Sequence, residues 1–299
     1  MRSVLQTVEP GGAREYSAGD LVGPAVIPKK LAEGEGMKKR TLLLLTVALL
    51  LPGAAMAQSV FDGTWKGDVN TAKFPEKPDV YMLKDGMYTC KTCVPAYTIK
   101  ADGTDQKVAG HPYFDMMSIK VVDDKTIEET DKKGGKVVAT SKSWVTADGK
   151  SLMFEFTDSS ATNGAPVTGK GSEMRVAKGP DGSHAISGSW KMAKMDQLSD
   201  NGMTVMYKTS GDSITMTTPN GQSYTAKMDG TEAPYKGDPG TTSVSIKKTG
   251  PNSFDETDKR DGKVIAIAHI SVSADGKTMK IAVDDKLHDT HAEFGATKQ

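Results

Sequence analysis

The chain has 299 residues, with 38 basic and 38 acidic side chains, 37% hydrophobic residues and 6% aromatic residues. The balanced charge argues against a protein that binds nucleic acid through a basic surface, so we expect no nucleic-acid partner. Two cysteines are too few for a disulfide-dense scaffold. At about 150 residues per domain, the length suggests roughly two domains.

Residues 37–57 have the three parts of a secretory signal peptide. Met37 opens a positively charged segment, the apolar run TLLLLTVALLL follows, and Ala55-Met-Ala57 is an A-x-A cleavage site. The apolar run is shorter than the ~20 residues of a membrane span. We therefore predict a periplasmic or secreted protein whose mature chain begins at Gln58 and is not stably inserted in a membrane.

Residues 1–36 precede this signal peptide, which ordinarily stands at the N-terminus of a precursor. The run Glu33-Gly-Glu-Gly36 is compatible with a purine-rich ribosome-binding site in the gene, just upstream of Met37. We interpret residues 1–36 as an upstream leader that was read from a mis-assigned start. Without the leader and the signal peptide, 31 basic and 33 acidic residues remain, so the mature protein is slightly acidic.

The mature chain is an internal duplication. YTIKADGT at Tyr97 recurs as YTAKMDGT at Tyr224, 127 residues later. Residues 97–157 align without gaps on residues 224–284, with 24 identities in 61 positions. A period of this length is the size of a whole small domain.

Both repeats have the sequence pattern of antiparallel β-structure. Apolar and polar residues alternate in segments such as LMFEFT after Ser151, as in strands with one solvated face. Asp-Gly pairs such as Asp148-Gly149 separate these segments and are the strongest short hairpin signal. We predict an all-β protein with two tandem antiparallel up-and-down barrels of eight to ten strands. Repeat one spans residues 58–180 and repeat two spans residues 181–299.

A tryptophan stands in the first strand of each repeat, in Gly63-Thr-Trp65 and in Gly188-Ser-Trp190. This G-x-W pattern resembles the signature of lipocalins, and the surrounding sequence is similar to the lipocalin-like repeats of exported, largely uncharacterised bacterial proteins. The resemblance implies that each Trp packs across the closed end of a barrel, beneath a basic residue of the last strand. That residue would be Arg175 in repeat one and Lys298 in repeat two. We expect structural roles for Trp65, Trp190 and Arg175.

Cys90 and Cys93 are the cysteines of the chain. In an oxidising compartment we expect them to form a structural disulfide that pins a turn. A redox C-x-x-C is one alternative, although it requires a reactive thiol. A metal site is another, although tetrahedral zinc requires four ligands and the chain has no second C-x-x-C.

Two further patterns suggest chemistry. Met192-x-x-Met195 and Met203-x-x-Met206 resemble the thioether ligands of Cu(I), but a spacing of three places two side chains on opposite faces of a strand. Gly211-Asp-Ser-Ile with a later Asp-x-x-His resembles blocks of GDSL-type hydrolases, yet it stands between two β-segments as a hairpin turn. We predict no enzyme, no metal and no cofactor.

A barrel of eight strands has room for one small ligand. We therefore predict an exported, monomeric, non-catalytic binding protein for a small apolar or amphipathic ligand, with binding residues unknown. The alternatives are a structural or protein-interaction module of the periplasm without ligand, and periplasmic copper handling. A ligand-binding barrel would have a dry cavity, which we expect to be lined by Met82, Met117, Met153, Met206 and Ile246.

Overall fold

A computed structural model describes residues 59–161, 163 and 165–299. The leader and the signal peptide predicted over residues 1–57 lie outside the described residues. The described part folds into twenty β-strands and one helical turn, α1 (Asp200–Met203). In this part, no helix has the length and apolar character needed to cross a membrane.

The strands are short and follow one another mostly through tight turns. The first ten are β1 (Gly63–Lys73), β2 (Asp79–Lys84), β3 (Met87–Cys90), β4 (Tyr97–Lys100), β5 (Gln106–Lys107), β6 (Met116–Val121), β7 (Thr126–Lys133), β8 (Lys136–Val145), β9 (Ser151–Asp158) and β10 (Val167–Lys178). The second ten are β11 (Gly188–Leu198), β12 (Thr204–Ser210), β13 (Ser213–Thr217), β14 (Ser223–Lys227), β15 (Asp229–Pro234), β16 (Ser243–Gly250), β17 (Ser253–Arg260), β18 (Lys263–Val272), β19 (Thr278–Asp285) and β20 (Thr290–Lys298).

These strands form two antiparallel sheets of ten strands each. Barrel one has the order β4-β3-β2-β11-β10-β9-β8-β7-β6-β5, and barrel two has the order β14-β13-β12-β1-β20-β19-β18-β17-β16-β15. An isolated bridge links the two edges of each sheet, from Asp102 to Lys120 in barrel one and from Ser223 to Lys236 in barrel two. Both barrels are therefore nearly closed, and the prediction of an all-β protein with two tandem antiparallel barrels is confirmed.

Each barrel contains one strand of the other repeat. By sequence, β1 belongs to repeat one, yet it lies between β12 and β20, with Trp65 opposite both Val205 and Lys298. In the same way β11 opens repeat two but lies between β10 and β2, with Trp190 opposite Arg175. The two repeats, recognised as units of sequence, thus exchange their first strands to build the two barrels.

Short segments carry the chain from one barrel to the other. Residues 74–78 lead from β1 to β2, and α1 leads from β11 to β12. A lysine of each exchanged strand forms an ion pair with an acid of the opposite segment: Lys66 Nζ lies 2.9 Å from Asp200 Oδ1, and Lys191 pairs with Glu76. Exposed ion pairs contribute only about 0–1 kcal/mol. The exchange therefore depends on backbone pairing of the two strands.

Trp65 and Trp190 close one end of barrel two and one end of barrel one, respectively. Both side chains are fully buried, and each indole N–H donates at 2.8 Å to the backbone carbonyl four residues earlier. The Arg175 guanidinium carbon lies 3.8 Å from the centre of the Trp190 ring, and Lys298 Nζ lies 4.9 Å from that of Trp65. A basic residue of the last strand does cover each tryptophan, as expected. The predicted pairing within each repeat is wrong, because the exchange places the tryptophan of the other repeat beneath each cation.

We expect Trp65→Ala to loosen barrel two and Trp190→Ala to loosen barrel one, although Trp65 belongs to repeat one by sequence. Truncation of a buried Trp costs about 3–5 kcal/mol. Hydrogen exchange followed by mass spectrometry checks this: Trp65→Ala should lower amide protection in β12 and β20 and leave β2 and β10 protected. Loss of protection in β2 and β10 instead would show that β1 pairs within its own repeat.

Candidate ligand-binding lumen in barrel one

The methionines expected to line a cavity do not converge. Met117 and Ile246 point into barrel one and barrel two, where they are 2% and 0% exposed. Met82, Met153 and Met206 alternate with inward-pointing neighbours on their strands and therefore lie on the outer faces. A cavity lined by these five residues is thus excluded, and the interior of each barrel must be compared position by position.

The interior of barrel two is filled. Phe254, Ile270, Ile281 and Phe294 are each less than a tenth exposed and belong to one apolar cluster that also includes Trp65. Such packing leaves no surface of these side chains for a ligand to contact.

Barrel one has an apolar core of its own, but several of its aligned inward positions carry smaller or more polar side chains than those of barrel two. Ser143 stands where barrel two has Ile270, since the repeats are offset by 127 residues. Counted from the capping residues Arg175 and Lys298, Glu173 corresponds to Ala296. Inward positions that are partly exposed in barrel one have buried counterparts in barrel two: Tyr81 and Tyr207, Tyr97 and Tyr224, Glu129 and Glu256, Ser141 and Ala268, Glu173 and Ala296. The accessible surface of these barrel-one side chains faces the interior of the barrel, which we refer to as the lumen of barrel one.

Glu129 and Asp131 from β7 and Glu173 from β10 carry carboxyl groups at inward positions of this lumen. Asp131 is 8% exposed and its Oδ1 has no hydrogen-bond partner, and Glu173 Oε2 is likewise buried without one. Among the residues that the structure describes, none of the three forms an ion pair with a lysine or an arginine. A buried acceptor without a donor costs about 1–3 kcal/mol. A hydrogen-bond donor or a positive charge placed beside these oxygens would therefore be stabilising.

Burial changes the protonation of these acids. It raises the pKa of Glu129 to about 7 and, together with the charge of Asp79, the pKa of Glu173 to about 8. The pKa of Asp131 is also raised well above its ordinary value, first by burial and then by the charges of Glu129 and Asp158. Near neutral pH the carboxyls of the lumen therefore hold protons in part, and a positive charge beside them would favour their release.

A row of rings, the aromatic wall, runs along the inner side of β2, β3, β4 and the segment before β6. The ring centres of Tyr81 and Tyr88 lie 6.3 Å apart, as do those of Tyr88 and Tyr97. The row continues from Tyr97 to His111 at 5.5 Å and from His111 to Phe114 at 4.6 Å. The ring planes turn along the row: Tyr81 and Tyr88 lie at 19° to each other, Tyr88 and Tyr97 at 42°, and Tyr97 meets His111 edge-on at 82°. These contacts hold the rings in place beside one another.

The aromatic wall lies close to the carboxyls. After burial, the causes that raise the pKa of Tyr88 are the charges of Glu129, Glu173, Asp79 and Asp131. Carboxyls from β2, β7 and β10 thus act electrostatically on the same tyrosine. The lumen therefore combines carboxyl groups with aromatic rings.

His111 is the remaining polar member of the wall. It is 4% exposed, and neither ring nitrogen has a hydrogen-bond partner. Burial, followed by the charge of Lys133, lowers its pKa to about 4. His111 is therefore neutral at physiological pH and does not supply the positive charge that the carboxyls lack.

An apolar cluster lies in barrel one on the side away from Trp190, next to Asp158, which pairs with Val167. Met192, Met195, Phe154 and Phe156 pack in one cluster there with the buried side chains of Val167 and Leu198. Met192 and Met195 contact the same cluster because the pairing of β10 with β11 shifts register between them. The expectation that a spacing of three places the two methionine side chains on opposite faces is thus wrong. Together with the carboxyls, this apolar cluster makes the lumen amphipathic.

Cys90 and Cys93 form a disulfide, as expected, with their Cα atoms 5.5 Å apart. Cys90 is 1% exposed and packs in the core of barrel one, which does not suit the accessible thiol of a redox C-x-x-C. Within the described residues, no group of three or more His, Cys, Asp and Glu side chains is placed to hold a metal ion.

The segment with the hydrolase-like pattern is a hairpin turn. Gly211 and Asp212 connect β12 to β13, and the hydroxyl of Ser213 donates to Asp212 Oδ1 at 3.0 Å. The histidine of the second block, His288, is held by Asp285 Oδ2 at 2.7 Å. Neither block is part of the lumen.

A groove of about 420 Å³ on the surface is lined by Lys73, Lys77, Glu293 and their neighbours. Both lysines of the groove already have partners: Lys73 Nζ lies 2.9 Å from Glu293 Oε2, and Lys77 Nζ donates to the His288 carbonyl at 2.6 Å. The lumen of barrel one, where buried groups lack partners, is therefore the stronger candidate site.

No protein-family model matches the sequence, and no curated protein matches it.

The residues of the lumen were not predicted from the sequence, although a signal for two of them is present. Ile127, Glu129 and Asp131 alternate along β7, so the two acids share the face of an apolar residue that points inwards. Acids on the apolar face of a strand indicate a polar interior. Glu173 carries no such signal, because its strand is dominated by polar residues.

The free energy of unfolding should fall as pH rises from about 4.5 to 8, because the losses from Glu129 and Glu173 together exceed the opposite contribution of His111 below its ordinary pKa of 6.5. Glu129 and Glu173 have folded-state pKa values of about 7 and about 8 against an ordinary value of 4.5, so unfolding in this window releases protons. Each group contributes a loss of about 1.4 kcal/mol per pH unit between its two pKa values. Urea unfolding at several pH values measures this, and Glu173→Ala should flatten the profile. An unchanged profile in that variant would contradict burial of the carboxyl.

Proposed function

We propose that this protein is an exported, non-catalytic binding protein that holds one small amphipathic ligand in the lumen of barrel one. The observation that carries the proposal is the set of inward polar groups without partners, on Asp131, Glu173 and His111. In this proposal barrel two is a filled companion that supplies rigidity. The resemblance of the G-x-W strands to lipocalins is consistent with a ligand inside a barrel.

The comparison between the two barrels supports the assignment. Both arose from one ancestral sequence, and the aligned interior of barrel two shows that this fold can be filled with apolar side chains. Barrel one instead carries Ser143 and Glu173 at the positions of Ile270 and Ala296. With these residues barrel one buries less apolar surface than barrel two and loses stabilisation of about 0.8 kcal/mol per CH₂ group. A ligand that contacts them would offset this loss.

Export and monomeric state belong to the proposal as well. A signal peptide over residues 37–57 would direct the chain to the periplasm or outside the cell, where the disulfide is stable. The mature chain purified from its natural compartment is the appropriate material for a test.

Native mass spectrometry of the mature protein tests the proposed function. We expect one small molecule bound per chain, which organic extraction removes. Ser143→Ile should abolish binding, because it places the side chain of Ile270 in the lumen, between Ile127 and Phe154 on the neighbouring strands.

The matched control is Ile270→Ser in barrel two. It should lower the free energy of unfolding by about 3 kcal/mol or more, because it leaves a cavity and buries a hydroxyl, but it should leave the bound molecule in place. A mature protein without any bound small molecule, which also fails to bind added amphiphiles, would favour the interaction module instead.

A further inference from the structure

Among the described residues, the inward positions of barrel one carry several carboxyl groups, while Arg175, the cation on the inward face of β10, is engaged with the Trp190 ring and with backbone carbonyls. Burial is the leading cause that shifts the pKa of Glu129, Asp131 and Glu173, and all three shifts are upward. A positive neighbour would act in the opposite direction. Lys133, which follows Asp131 by two residues, has an exposed side chain whose Nζ donates to the His111 carbonyl at 3.4 Å.

Barrel two has a buried cation, Arg260, at the position that aligns with Lys133 of barrel one. Glu256, Asp258 and Arg260 alternate on the inward face of β17, where Arg260 is 9% exposed and donates from Nε to the Gly240 carbonyl at 2.7 Å. Glu256 also accepts a hydrogen bond from the Tyr224 hydroxyl at 3.0 Å. The same pair of acids is therefore accompanied by a buried guanidinium in barrel two and by none in barrel one.

Besides carboxyl groups, aromatic ring faces also attract cations, and the aromatic wall provides such faces. Tyr81 and Tyr97 are partly exposed to the lumen, and Tyr88 lies between them. Tyrosine faces attract ammonium groups with about 0.5–2 kcal/mol each, and more where water is excluded. Carboxylates opposite such faces complete a cage for an alkylated ammonium.

A metal ion suits this arrangement less well than an organic cation. Within the part of the chain described by the structure, no three His, Cys, Asp or Glu side chains come close enough to hold a metal. A larger cation with dispersed charge can contact separate carboxyls and ring faces at once. The cluster of Phe154, Phe156, Met192 and Met195 offers an apolar surface in the same lumen.

We infer that the ligand of barrel one is an organic cation, with an ammonium group between the tyrosines of the aromatic wall and Glu129, Asp131 and Glu173. Its apolar part packs on the phenylalanines and methionines at the end of the barrel away from Trp190. This inference rests on the proposed function and specifies the chemical class of its ligand.

Isothermal titration of the mature protein with three probes of equal chain length tests the inference. The probes are octyltrimethylammonium, octanol and octanoate, each below its critical micelle concentration. We expect octyltrimethylammonium to bind one per chain, at least tenfold more tightly than octanol, and octanoate to bind most weakly.

Two substitutions in barrel one locate the cation. Glu129→Gln and Glu173→Ala should each weaken octyltrimethylammonium at least tenfold and leave octanol within twofold, since the charge but not the apolar surface is removed. Glu173→Ala reproduces the residue of barrel two and should keep the fold, which far-ultraviolet circular dichroism checks. The matched control, Glu256→Gln in barrel two, should leave all affinities unchanged.

The outcomes separate the two proposals. Equal binding of all probes, or preference for octanoate, overturns the cation while the proposed function stands. Failure of every probe, together with a mature protein that carries no small molecule in native mass spectrometry, overturns both. Loss of octyltrimethylammonium binding in Glu256→Gln but not in Glu129→Gln would place the cation in barrel two and overturn the inference.

Discussion

Backbone pairing of the two exchanged strands is the constraint on which the rest of this structure depends. A strand at the edge of a sheet leaves rows of N–H and C=O groups without partners. In barrel two β1 pairs with β12 and β20, and in barrel one β11 pairs with β10 and β2. Without the strand of the other repeat, each barrel would be open along two edges. The tryptophan caps follow from this exchange, because Trp65 and Trp190 travel with their strands.

The exchange joins two barrels that are alike in topology and different inside. At aligned inward positions barrel two has Ile270 and Ala296, and barrel one has Ser143 and Glu173. A filled core gains from apolar burial at every strand, and a lumen forgoes part of that gain. The barrels also contact each other directly: the Tyr113 hydroxyl donates to Asp238 Oδ1 at 2.8 Å. Because each barrel contains a strand of the other repeat, the more apolar core of barrel two helps to hold β1 and β11 in place and so keeps barrel one closed.

The sequence was informative where structure is local. Asp-Gly pairs such as Asp148-Gly149 predicted turns correctly, because a positive φ is least costly at glycine. Alternation predicted strands, and the constant offset predicted two copies of one fold. The cation over each tryptophan was also expected, although each cation covers the tryptophan of the other repeat. The error arose because sequence order within a repeat says nothing about which of two equivalent strands closes a given sheet.

The residues that line the lumen show a second limit of prediction from sequence. Glu129 and Asp131 share the inward face of β7, but no local signal shows that Glu173 of β10 lies near the same tyrosine. Met192 and Met195 meet through bulges in the pairing of β11, which periodicity does not reveal.

The sequence by itself determined the duplication, the all-β class, the turns and the tryptophan strands, because these depend on residues close together in the chain. Tertiary structure alone decided which strand completes each barrel and which interior is filled, since both depend on residues that meet only when the sheets close.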